Sequence, residues 1–234
     1  MQTRSILRRN FYFFMSLLIA AVVVFGFSFT VDRNLFHPEV PRPFILYAHA
    51  AVFSGWVLFF ILQTGLVRTR NVRWHQRVGY FGAAVGGSMV VLGVATAIIM
   101  TRFDTVQLHR PDAIAFLIVP LLDMLGFATT LSLAVYWRKV PEYHRRLMLV
   151  ATCALTDAAF GRLGPHLFSL DSVWGLVGVD LLIILAVARD LMVTRRVHTV
   201  YLYVLPVFIF GQTFVAYTYL HRLPYWMKVA DIIL

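Results

Sequence analysis

Apolar residues run along this chain in long blocks of about 20, with no alternation of the kind strands show and no narrow one-sided helical stripe. A helix needs ~20 such residues to cross the ~30 Å hydrocarbon layer of a bilayer. Seven blocks meet that length: 11–31, 44–67, 79–101, 113–137, 147–163, 173–193 and 201–220. The fifth is the shortest and most polar, and it is kept because the basic loops alternate between sides only if it crosses. The first follows Arg4, Arg8 and Arg9 and so has the beginning of a secretory signal. Its length, its aromatic end (Phe25, Phe27, Phe29) and the lack of a small-x-small site predict a retained helix instead. The expected fold is therefore all-α: one polytopic bundle of seven spans covering residues 1–234.

Composition agrees with that pattern. Apolar residues make up 60% of the 234 and charged ones only 14%, and the mean hydropathy is +0.76. Lys and Arg number 21 against 11 Asp and Glu, an excess that in a soluble protein would suggest nucleic acid. Here topology accounts for it. With the N-terminus in the cytoplasm, Arg4, Arg8, Arg9, Arg68, Arg70, Arg73, Arg77, Arg138, Lys139, Arg145, Arg146, Arg189, Arg195 and Arg196 all fall inside. The positive-inside rule thus predicts N-in and C-out, and a helical bundle of this kind is expected in a cell membrane, of the bacterial inner-membrane type. The expected partners are lipid and other membrane subunits, without nucleic acid. Lys139 and Lys228 lie outside every span, which removes a retinal Schiff base. A lone Cys153 excludes an intrachain disulfide and a thiolate metal cage.

Three inner loops repeat a theme. Arg73-Trp74-His75-Gln76-Arg77, Glu142-Tyr143-His144-Arg145-Arg146 and Arg195-Arg196-Val197-His198 each place a histidine beside basic residues just before a span. His75, His144 and His198 are read either as interfacial anchors or as an inner-face cluster for a metal or an acidic head group. The segments His49-Ala50-Ala51-Val52-Phe53-Ser54-Gly55-Trp56, Gln63-Thr64-Gly65-Leu66-Val67, Trp74-His75-Gln76-Arg77-Val78-Gly79 and Pro141-Glu142-Tyr143-His144-Arg145-Arg146-Leu147-Met148 resemble a group of uncharacterised bacterial seven-helix integral membrane proteins. That resemblance covers roughly residues 44–200. It implies an architecture and no chemistry.

Ionisable residues inside spans cost at least ~2.5 to 3.5 kcal/mol each at mid-bilayer and so face the bundle interior. At ~1.5 Å rise per residue, His49 lies about 7 Å, Asp123 about 15 Å, Asp157 about 9 Å, Asp180 about 10 Å and Gln212 about 12 Å from the outer ends of their spans. Arg162 lies near the outer end of its own. These six converge on one outer-half pocket, a site for a small solute or for protons, and the inner half is expected to hold almost nothing comparable. Arg162 is expected to pair with an aspartate of another helix. The competing reading is a structural or accessory subunit in which these groups only hold helices together.

Two more features bear on cofactors. His49, Phe53, Trp56, Phe60 and Gln63 share one helical face, suited to a flat ligand or to packing. A haem b carrier would take His49 with His109 or His166 as axial ligands, and a zinc site would combine His49 with the aspartates. The Gly82/Gly86 spacing predicts close backbone approach, and Pro120 and Pro206 predict bends. No phosphate-binding loop or nucleophile elbow is present in the sequence.

Overall fold

A computed structural model describes residues 2–234, with the side chains from residue 10 onward apart from that of residue 168. The side chains of Arg4, Arg8 and Arg9 lie outside those described. The chain forms helices α1 (Gln2–Ser28), α2 (Phe44–Arg68), α3 (Val72–Val106), α4 (Asp112–Phe116), α5 (Ile118–Tyr136), α6 (Pro141–Ala154), α7 (Asp157–Leu163), α8 (Gly175–Thr194), α9 (Thr199–Leu220) and α10 (Pro224–Ile233). Short π and 3-10 turns occupy Asp32–Phe36, Gly164–Phe168 and Ser172–Trp174. A protein in lipid must satisfy its backbone internally, and helices do so within one segment.

The seven-span expectation does not hold. Five helices are long and apolar enough to cross a membrane: Asn10–Ser28, Phe44–Arg68, Val72–Val106, Asp112–Tyr136 and Thr199–Leu220. A sixth exists only if the bent pair Pro141–Ala154 and Asp157–Leu167 counts as one span. The expected fifth block is broken by 42° between α6 and α7. Thr156 makes the break: its backbone N–H and its hydroxyl both donate to the Cys153 carbonyl, at 2.9 and 2.6 Å, closing a turn where the helix would have continued. The expected sixth block is the 20-residue α8, which carries Asp180, Arg189 and Asp190 and is too charged to qualify. An even span count puts both termini on one side and an odd count on opposite sides, so N-in with C-out no longer follows from the chain. What stands is an all-α, multi-pass membrane bundle in contact with lipid.

Local signals set several helix starts. Pro141 opens α6 after the extended Val140, where its missing N–H costs nothing. His198 caps α9 by accepting the Val200 N–H at 3.2 Å, and Asp171 accepts from Val173 N at 3.0 Å ahead of α8. Pro120 falls in the first turn of α5, just beyond the break from α4 at Leu117, whereas Pro206 lies inside a continuous α9.

The centre of the bundle is α6, whose stretch from Arg146 to Ala154 is buried apart from the half-buried Met148. One face packs into a core with Met15 and Ile19 of α1, Val179, Leu182, Ile183 and Ala186 of α8 and Tyr201 of α9. Another touches a core of Trp56, Met89, Phe127 and Leu131 from α2, α3 and α5, to which α6 adds Ala151. The predicted close approach at Gly82 and Gly86 takes a different form, because these glycines receive the rings and branches of Phe59, Trp56 and Leu131 rather than another backbone. Backbones meet elsewhere. A Cβ on Gly26 of α1 would lie 2.5 Å from the Ala159 carbonyl oxygen, and one on Gly175 of α8 would lie 2.5 Å from Gly161 N and 2.7 Å from Asp157 Oδ1.

Candidate functional site

Asp157 is the first residue after the helix break, and the crossing of Gly175 over Gly161 presses its Oδ1 against the start of α8. Its residue exposure is only 4%. The Asp123 carboxyl of α5 stands within hydrogen-bonding reach of it. No donor among the described residues reaches Asp157 Oδ1, which is sealed from solvent. Two carboxylates this close repel unless a proton or a cation lies between them.

The other four predicted residues do not close around that pair. Asp180 has its own partner, the buried Gln212 of α9, whose amide donates to its two oxygens at 2.8 and 3.1 Å. Arg162 does not take an aspartate from another helix. Its Nε donates to Thr30 Oγ1 of α1 at 2.9 Å, an Nη donates to the Ala158 carbonyl, and its guanidinium sits 4.1 Å from the Phe27 ring centre. His49 stacks on Phe53 at 3.9 Å, with its Nδ1 sealed and without a partner among the described residues. In place of the expected single pocket there are a carboxyl pair, a separate Asp–Gln pair, and two cationic or basic groups, Arg162 and His49.

The two haem ligands expected to join His49 are both exposed. His109 is exposed in a turn with left-handed backbone, φ 51°. His166 is exposed, stacks on Phe29 at 4.8 Å and gives its Nδ1–H to the Arg162 carbonyl at 2.7 Å. Among the described residues no group of three or more His, Cys, Asp or Glu is set to hold a metal ion, which removes the zinc arrangement.

The basic end of the bundle overturns the expectation that it holds nothing comparable. Arg146 of α6 grips Asp190 of α8 with two bonds, Nε to Oδ2 at 2.8 Å and Nη2 to Oδ1 at 2.9 Å. Arg189 adds a third at 2.8 Å. Arg146 and Arg189 are 1% exposed and Asp190 is 0%. The more exposed Glu142 ties Arg146 at 2.6 Å and Arg145 at 2.5 Å. Arg145 and Arg189 also lie 5.4 and 5.6 Å from the Tyr12 ring centre. The signal was the Arg-Asp dipeptide in an apolar run, with Asp190 on the same helical face as Ile183 and Ala186.

At this end the three loop histidines separate into two and one. His75 and His144 are neighbours, with ring centres 6.1 Å apart. His198 instead meets Tyr143 edge-on at 4.8 Å. Partial burial, and then the nearby Arg146, hold the His198 imidazole below its ordinary pKa.

No family model, curated protein or solved structure matches this chain. The resemblance to a seven-helix bacterial family, drawn from short motifs, is overturned by that result and by the span count. Function must rest on the geometry alone.

Proposed function

We propose that this membrane protein takes up and releases a proton at the Asp123–Asp157 carboxyl pair. The observation that carries the reading is Asp157 Oδ1, a buried carboxyl oxygen with no donor except a protonated neighbour. The sealing of that oxygen favours a proton over a larger solute, because a proton shared between two carboxyls needs no room. The Arg162 guanidinium is the cation whose charge bears on Asp157, and it bears in turn on His49, whose Nδ1 has no partner among the described residues. In a bacterial inner membrane such a pair would lie in the path of a proton gradient.

The test is infrared difference spectroscopy of the reconstituted protein across a pH titration. The reading expects a protonated-carboxyl C=O stretch that titrates in the wild type and vanishes in both Asp123→Asn and Asp157→Asn. A band unchanged in both variants, or no carboxyl band in folded wild-type protein, would overturn it. A packing-only role has its own observation in its favour, the fully bonded Arg146–Asp190 network, but that network lies at the other end of α6.

A further inference from the structure

A second site lies where α3 and α6 begin, and it does not depend on the carboxyl pair. His75 and His144 stand in the first turns of α3 and α6, 69 positions apart in the chain, yet their rings stand 6.1 Å apart with planes at 67°. The His144 Nδ1 is 2.9 Å from the Ala134 carbonyl of α5. A carbonyl only accepts, so Nδ1 carries the proton and Nε2 keeps the lone pair. The Gln63 amide of α2 lies 2.5 Å from His75 Nδ1. Both rings are thus anchored through Nδ1 by groups on other helices, and Nε2 is the nitrogen left over on each. For His144 this is the arrangement by which proteins orient metal-binding imidazoles, the far N–H given to a carbonyl and the near nitrogen free for a metal; His75 reaches it when the Gln63 oxygen faces Nδ1.

The ring spacing narrows the ligand. With metal–nitrogen bonds of about 2.0 Å, two imidazoles on opposite sides of one metal have centres roughly 6 Å apart. No third His, Cys, Asp or Glu joins them among the described residues, so a bare zinc ion would lack ligands. Iron in a porphyrin brings its own equatorial nitrogens and needs only two axial side chains. The exposed Arg73 and Arg77 on either side of His75, and the exposed Arg138 and Lys139 ahead of His144, suit the porphyrin's two carboxylates. The geometry points to His75 and His144 as the axial ligands of a haem bound at the basic end, in place of the His49, His109 and His166 set.

Gln63 is the positioning residue. In the absence of ligand its best arrangement gives NH₂ to His75 Nδ1 and to the His75 carbonyl, with its oxygen accepting from Gly79 N at 3.2 Å. Ligation at Nε2 requires Nδ1–H, so the amide turns over and its oxygen becomes the acceptor. Gln63→Glu would hold that form permanently.

The full-length protein, purified in detergent, is titrated with haemin and then reduced with dithionite. Expected are saturable uptake and a low-spin bis-imidazole spectrum, lost in His75→Ala and His144→Ala and kept in His49→Ala, His109→Ala and His166→Ala. Should the alanine variants fail to fold, His144→Met retains a ligand that iron accepts and is expected to shift the spectrum to a His/Met form. Gln63→Leu should weaken uptake by about tenfold or more, and Gln63→Glu should lower the reduction potential. No saturable uptake by folded wild type, or a spectrum identical in the wild type, His75→Ala and His144→Met, would overturn the assignment.

Discussion

Asp190 receives three N–H donors from two arginines, while Asp157, eleven positions along the α6–α7 pair from Arg146, has an oxygen that receives none. Both are buried carboxyls, and both sit where three helices meet. The difference is the supply of donors. At the basic end the charge is held by matched, two-pronged geometry, which fixes one arrangement of α6 against α8. At the far end the group within hydrogen-bonding reach is another acid, and one Asp157 oxygen is left without a donor among the described residues. Burial alone therefore does not distinguish the two carboxyls; the supply of donors does.

The sharpest way to break this contrast is to remove each acid. Asp190→Ala leaves Arg146 and Arg189 buried without their counter-charge and is expected to cost about 3 to 5 kcal/mol, read as a fall in melting temperature and in folded yield. Asp157→Asn, by comparison, should stay folded, because the amide can donate to Asp123 where the carboxylate could not. Equal losses from the two would remove the distinction. A smaller effect is expected from Gly175→Ala, whose methyl would collide with Gly161 N and Asp157 Oδ1. Overpacking of this kind costs roughly 1 to 3 kcal/mol, and here it should also displace the carboxyl band of the Asp123–Asp157 pair while leaving the Asp190 end intact.

Arg162→Lys sharpens the same comparison at lower amplitude. Lysine cannot reproduce the Nε bond to Thr30 or the stacking on Phe27, so a loss of about 1 kcal/mol in melting experiments is expected. The smallest effect belongs to His198. Its folded pKa lies below the ordinary 6.5, so the unfolded chain binds the proton more readily, and stability falls as pH drops through about 6.5 toward the folded value. His198→Asn, which keeps a cap for Val200, should flatten that part of the pH–melting curve.

The apolar blocks made five helices legible from sequence, because length and hydropathy are properties of one segment. The break before Asp157 was not legible. It depends on one hydroxyl, that of Thr156, outcompeting the helix for the Cys153 carbonyl, and the same Thr could have stayed helical. Asp123, Asp157 and Asp180 could be picked out as costly intramembrane acids, but their grouping could not: which acid meets which is set by the rotation of α5, α7 and α8 about their axes. The reading went furthest astray at Arg146 and Arg189. Charges that flank a span look the same in sequence whether they mark orientation or turn inward to meet an acid.

The length of α3 has a mechanical consequence. Its 35 residues extend about 52 Å at 1.5 Å per residue, well beyond the ~30 Å hydrocarbon layer. Polar anchors sit near both its ends: Trp74 with Arg77 over its ring at one, and Phe103 with Arg42 over its ring at the other. Those aromatic anchors are 29 residues apart, about 43 Å, close to the ~40 to 45 Å between headgroup regions. A bilayer thinner than that span is met by tilting or bending the helix or by deforming the lipid around it, and tilting or bending would bear on the side chains of α2 and α5 that rest on Gly82, Gly86 and Gly93. In bilayers of different thickness, the adjustment therefore falls first on α3 and on the packing around its glycines.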